Sequence, residues 1–101
     1  MNTKRKEILK WSDPEEAQRK AFEFLGPDAI LYLSEKKNKK YKIFDPINNK
    51  FVHFGQMMYE DYTKHQNDQR RYNYRRRAKN MLGNWRNNPY SANNLSIHIL
   101  W

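Results

Sequence analysis

Ala17, Ala21, Phe24 and Leu25 fall at i, i+4, i+7 and i+8, the spacing of a single apolar stripe on a helix. Ser12 or Asp13 supplies an N-cap, Pro14 suits the first turn, and Glu15 and Glu16 place negative charge at the positive end of the helix. Gly26-Pro27 closes the pattern, so a helix is predicted over Pro14–Leu25. Ala29 to Leu33 is an apolar run of strand length, and the polar, lysine-rich stretch from Ser34 to Lys40 reads as a loop. Tyr41 and Ile43 then alternate with Lys40 and Lys42 ahead of Phe44. Asp45-Pro46-Ile47-Asn48-Asn49 is a turn, and Phe51 to Phe54 returns, which predicts a β-hairpin over 41–54 ending at Gly55, where glycine permits a sharp bend.

Beyond Gly55 the pattern changes from alternation to helical spacing. Tyr59 and Tyr62 share one face of a helical turn that leaves Glu60, Asp61 and Lys64 in water. Asn67 or Asp68 caps a second long helix, in which Tyr74, Ala78, Met81 and Leu82 repeat the earlier spacing and Gly83 is the stop. On that helix Arg71 and Arg75 project toward the apolar side and Arg76 lies nearly opposite it. The asparagine-rich stretch from Trp85 to Asn94 is an ordered loop. Leu95, Ile97, Ile99 and Trp101 alternate as a strand would, while Asn93 or Asn94 offers a cap for a last helical turn or two, which is the preferred form. So apolar a tail should dock, Leu95 on its own domain and Trp101 on a neighbour. The fold class expected is α+β: a small three-stranded antiparallel meander covered by an N-terminal helix, followed by a basic helix and an ordered C-terminal segment. Residues 1–12 form a basic arm, which Ile8, Leu9 and Trp11 could pin to a surface, and residues 13–101 a single domain.

Composition narrows this picture. A chain of 101 residues suits one domain, and the absence of cysteine removes both a disulfide framework and a cysteine zinc site, in keeping with a reducing intracellular compartment. No run is apolar enough to cross a bilayer, and the basic start leads into a charged stretch, not a signal-peptide core. Mean hydropathy is −1.21 while 15% of residues are aromatic, so the expected core is small and built largely from rings. Twenty lysines and arginines against eleven acidic residues leave a formal charge of +9, which draws polyanions or acidic protein surfaces.

Candidate chemistry is sparse. His53, His65 and His98 have no second ligand at metal-binding spacing, Glu60 and Asp61 diverge on a helix, and the three glycines are too scattered for a phosphate loop. Asp61 and His65, four apart, can pair on one turn. No catalytic residue, cofactor or metal site is therefore expected, and the chain is expected not to be an enzyme. The basic clusters are the stronger signal: Lys36, Lys37, Lys39 and Lys40, then Arg70, Arg71, Arg75, Arg76 and Arg77 interleaved with Tyr72 and Tyr74, combine cations for phosphate with rings for stacking. Arginine also suits bidentate carboxylates of a protein neighbour. These nine residues, with Trp101, are the candidate contacts for a partner or polyanion.

The strings Lys39-Lys-Tyr-Lys-Ile, Val52-His-Phe-Gly-Gln, Tyr59-Glu-Asp-Tyr-Thr-Lys-His, Arg70-Arg and Asn88-Pro-Tyr-Ser-Ala-Asn-Asn-Leu-Ser-Ile-His-Ile-Leu-Trp occur in one order. In this the chain resembles, over roughly residues 15–101, a family of small basic proteins of large nucleocytoplasmic DNA viruses whose activity is uncharacterised. Members of that family read Arg-His or Arg-Ser where this chain has Arg77-Ala78. The resemblance implies a viral origin and carries over no catalytic residue. Together these features lead us to expect a non-enzymatic virion protein, a minor capsid or capsid-cementing component that contacts other capsid proteins. The alternative is a nucleic-acid-binding protein that condenses or packages the viral genome. Its expected location is the virion, and the host cytoplasm or viral factory during assembly.

Overall fold

The computed structural model describes residues 3–101. The helix predicted over Pro14–Leu25 is present, here α2, with the Asp13 carboxylate accepting from the Glu15 and Glu16 amides at 3.1 and 3.4 Å and Gly26 ending it at φ 99°. It is preceded by a helix that the sequence pattern did not announce, α1 over Thr3–Ile8. The expected arm is thus helical from Thr3 and delivers Ile8, fully buried, into the core; Met1 and Asn2 lie outside the described residues. Its stretch is basic and carries a single core-seeking residue at 8, too little for a recognisable stripe.

Strands β1 (Leu31–Leu33), β2 (Lys39–Asp45) and β3 (Lys50–Gln56) form the antiparallel meander in the order β1-β2-β3. Tyr41 stands opposite Leu33 and Phe54, and Ile43 opposite Leu31 and Val52, so one face collects the residues that become core. Asp45 shapes the hairpin turn: its carboxylate accepts from the Ile47 and Asn48 amides and from the Asn48 side chain, at 2.9, 3.2 and 2.8 Å, which satisfies a fully buried acid. Gln18 of α2 donates to the Ala29 carbonyl and accepts from the Leu31 amide, at 2.7 and 2.8 Å, fixing the helix to the start of the sheet.

After β3 come α3 (Tyr62–His65), α4 (Asp68–Lys79), a 3₁₀ turn over Trp85–Asn87, and α5 (Ala92–Leu95), which runs directly into π-helical turns over Ser96–Leu100. Ser91 caps α5 at 3.2 Å from the Asn94 amide, not Asn93 or Asn94 as the pattern had offered. The widened final turn is closed by the Trp101 amide on the Ser96 carbonyl at 3.0 Å. α4 stops three residues short of the predicted stripe: Asn93 Nδ2 donates to the Ala78 carbonyl at 3.0 Å, and Met81 and Leu82 are left 54% and 96% exposed. α4 therefore seats Ala78, with Tyr74 half covered, and Met81 and Leu82 belong to an outward-facing loop.

The core joins both ends of the chain to the sheet. Ile8, Ala17, Ala21, Tyr41, Ile43, Phe54, Leu95, Ile99 and Leu100 form one buried cluster, and Phe24 of α2 stacks on His98 with ring centroids 4.3 Å apart. Beside it runs a buried polar chain. Tyr41 donates to Ser12 at 2.8 Å, Ser12 and Thr63 hydroxyls meet at 3.1 Å, Thr63 donates to Asp61, and Lys40 Nζ reaches Asp61 Oδ2 at 3.0 Å and the Tyr59 carbonyl at 2.6 Å. Every member has a partner, which is the condition for tolerating such a chain in a core. No described helix is long and apolar enough to cross a membrane.

Candidate polyanion-binding cleft

Of the ten residues singled out in the sequence, five line one cleft of about 880 Å³: Arg70, Arg76, Arg77 and Trp101 edge it, and Lys40 forms part of its floor. α4 supplies the arginines. Its N-terminus is fixed by Asn67 Oδ1, which accepts from the Arg70 amide at 3.0 Å. That start sets the helical phase, so Arg70, Asn73, Arg76 and Arg77 face the opening while Arg71 and Arg75 turn inward. Tyr59, Tyr74, Gln56 and Asn73 also line it, together with Glu60.

The cations are not equivalent. Lys40 was expected in a surface loop as a contact for a partner; it lies on β2, is 2% exposed, and is committed to Asp61 and the Tyr59 carbonyl. Burial pushes its ammonium below the ordinary lysine value and Asp61 opposes that shift. Arg71 and Arg75, also expected to face a partner, instead clamp the C-terminal segment. Arg71 Nε donates to the Trp101 main-chain oxygen at 2.6 Å and its guanidinium covers the Tyr62 ring at 4.6 Å, while Arg75 reaches the Ile97 carbonyl at 3.4 Å. Arg70 pairs with Glu60 at 3.1 Å. Arg76 and Arg77 form no salt bridge among the described residues; Arg76 rests on the Tyr72 ring with 6.0 Å to its centroid. Lys36 and Lys37 are exposed in the turn before β2, and Lys39 is half-buried on the strand, away from the cleft lining.

Trp101 is stacked on Tyr74 with centroids 4.2 Å apart and planes 8° from parallel, so it docks on its own domain, where a neighbour had been expected. His65 packs against its ring at 5.1 Å. His65 Nδ1 accepts from the Asn67 amide at 2.9 Å, which assigns its proton to Nε2, a buried atom with no hydrogen-bond partner among the described residues. Burial, with Arg70 adding to it, holds this imidazole below its ordinary value and favours the neutral form. The Asp61–His65 pair foreseen from their spacing is replaced by Asp61 with Lys40 and Thr63, and His65 with Asn67. Tyr59 was read only as one face of a helical turn, and Asn73 stands inside the arginine cluster with neither charge nor ring to single it out; the meeting of β3, α4 and the final turns is what makes both site residues.

Among the described residues no three His, Cys, Asp or Glu side chains gather where they could hold a metal ion. The cleft offers instead an arrangement for an anion with ring-bearing groups: two arginines without carboxylate partners, amide side chains, and the tyrosine and tryptophan rings that flank them.

A family of unknown function, DUF5754, matches residues 29–78, a span that includes the sheet and nearly all of α4 but neither α2 nor the C-terminal turns. No curated protein and no solved structure matches the chain.

Proposed function

We propose that this protein binds nucleic acid without catalysing a reaction, holding a single strand along the cleft with phosphates on Arg76 and Arg77 and bases against the rings. The observation that carries it is that these two guanidinium groups have no carboxylate partner among the described residues and stand among Tyr59, Tyr74 and Trp101. A cation already paired would gain little from a phosphate, whereas these two exchange only water and counterions for it. Beside the resemblance to proteins of large DNA viruses, this becomes a role in condensing or packaging a genome within a virion.

The test is the salt dependence of binding to a fluorescent oligothymidylate, read by anisotropy. Each phosphate neutralised on a single strand contributes about −0.7 to the slope of log affinity against log salt, so Arg76→Gln/Arg77→Gln should flatten that slope by about 1.4. An unchanged slope, or no measurable affinity at about 0.1 M salt, would overturn the proposal. The capsid-component reading keeps one observation in its favour: Met81 and Leu82, exposed at the end of α4, are apolar surface of a kind that a neighbouring subunit covers. It predicts co-fractionation with capsid protein that survives nuclease treatment.

A further inference from the structure

Resting on the nucleic-acid reading above, we infer that the uncovered face of the sheet is a second, base-stacking site, in which Tyr32, Phe44 and Phe51 take unpaired nucleobases from the strand whose phosphates lie in the cleft.

The register places these residues together. Tyr32 stands opposite Lys42, Lys42 opposite His53, and Phe44 opposite Phe51, so their side chains leave the sheet on the face away from Tyr41 and Ile43. Tyr32, Phe44 and Phe51 are each between 42% and 50% exposed, although nothing about a sheet requires rings to stand in water. They meet edge to face: Tyr32 and Phe51 at 78° with centroids 6.0 Å apart, Phe44 and Phe51 at 74° and 5.5 Å. Edge-on packing holds the rings in place without covering every ring face by another ring of the cluster, which is what an incoming base needs.

The chemistry around the rings selects the occupant. Lys42 sits over Phe51 at 4.6 Å, and His53, the next outward side chain on β3, is held by Ser34 at 2.7 Å. Along the paired strands this face presents the rings and basic groups of Tyr32, Lys42, Phe44, Phe51 and His53, and Ile30 and Asp28 border Tyr32 and Phe44 at its edge. Glu35, the acid that reaches it, is tied to Lys42 at 2.8 Å. A docking face for an acidic peptide would gain little from three rings, and a second copy of the chain is the alternative that sedimentation tests. Bases stacked on these rings, with the phosphates of the same strand on Arg76 and Arg77 of the cleft, use the rings and the unpaired cations at once.

The two sites are within reach of one strand. Lys40 lines the cleft and Phe44 belongs to the ring cluster, four residues further along the same strand in an unbroken register with β3, which is about 13 Å. An oligonucleotide of several residues can span both, within the range of about 4–16 nucleotides that small single-strand binders occupy.

The experiment compares two fluorescent twelve-residue oligomers, oligothymidylate and its abasic counterpart with the same phosphates, on the full chain and on Tyr32→Leu/Phe44→Leu/Phe51→Leu. Leucine keeps the face apolar and removes the ring. Wild type should bind the base-bearing strand about tenfold or more tightly than the abasic one, and the variant should lose most of that preference, keeping the part that Tyr59, Tyr74 and Trp101 of the cleft supply, while its salt slope stays as steep. Circular dichroism melting reports whether the triple variant is folded; if it is not, Phe44→Leu alone carries the comparison, with a smaller loss of preference expected. A base preference that is the same in wild type and variant overturns the stacking site and leaves the cleft reading standing, provided Arg76→Gln/Arg77→Gln still flattens the slope; equal binding of the two oligomers by wild type overturns base stacking at both places. No binding of either oligomer overturns both. A ring-dependent self-association in sedimentation, without base preference, overturns the stacking site in favour of a second copy of the chain.

Discussion

Removing the Asp61 carboxylate should be among the most damaging single changes in this chain. Asp61 and Lys40 are 0% and 2% exposed and bonded at 3.0 Å, with the remaining Asp61 oxygen taken by Thr63 and the Lys40 ammonium also donating to the Tyr59 carbonyl. Asp61→Ala leaves a buried ammonium with one neutral acceptor. Breaking a buried pair from one side costs about 3–5 kcal/mol, against a total of about 5–15 kcal/mol for a domain of this size. At roughly 4–8 °C per kcal/mol, the melting temperature should fall by at least about 12 °C. Urea unfolding followed by tryptophan fluorescence measures the loss directly as a shift in midpoint at constant slope. Two internal checks separate a charge effect from a packing defect. Lys40→Met/Asp61→Leu removes both charges and should recover much of the loss. The deficit of Asp61→Ala should also shrink as pH is raised from 7 towards 10. Burial already lowers the folded-state value of Lys40 and loss of Asp61 lowers it further, so between that value and the ordinary lysine value the unfolded chain binds more protons than the native one and stability rises with pH. A loss below about 1 kcal/mol, or single-variant losses that simply add in the double variant, would refute this account of the pair.

Two further predictions follow from the same packing. Leu95→Ala, in a fully buried position, should cost about 2–5 kcal/mol, and Trp101→Ala should cost about 0.5–1.5 kcal/mol for the lost stack on Tyr74 plus the area it uncovers, both in the isolated protein; a Trp101 variant that melts unchanged would mean that the stack contributes nothing. Acidification should destabilise the fold from about pH 6.5 downward, because burial lowers His53, His65 and His98 in the native state. Their neutral forms contribute stability that is complete above that pH and is lost as protons bind the unfolded chain first. His65→Gln should reduce the drop in urea midpoint between pH 7.5 and 5. An undiminished drop would assign the acid sensitivity to other groups.

What could be read from the sequence were the elements whose signals are local. Asp13, Pro14 and Gly26 delimit α2 without help from the rest of the chain, and the alternation around Asp45–Asn49 specifies the hairpin and, with the run before it, the three-stranded sheet. Lys40 shows where this stops. Its alternation with Tyr41 marks an outward residue, yet the segment around Tyr59–Asp61 folds over it, and that contact is about 20 residues away in the chain. Arg71 and Arg75 were placed toward the apolar side of α4 correctly, but their partners, carbonyl oxygens of the final turns, have no side-chain signature. Met81 and Leu82 continue a helical spacing on paper because periodicity cannot register that Asn93 takes the Ala78 carbonyl and that the helix ends there. Arg70, Arg76, Arg77 and Trp101 were named together as charge and aromatic content; that they border one cleft is a property of tertiary structure.

The buried chain from Tyr41 through Ser12, Thr63 and Asp61 to Lys40 has a bearing on how the protein can fold. Thr63 and Asp61 are neighbours on one turn, but the other three links join residues about 20 to 50 apart, so closing any of those requires ordering a long loop, an entropic cost that grows slowly with length but must be met before the link is complete. A half-assembled chain leaves a dry hydroxyl or an unpaired charge, and so is worse than none. Such a device rewards only the finished arrangement. It opposes partly folded forms in which α2, the sheet and the α3 segment come together singly, and it makes the molecule gain or lose its structure as one unit.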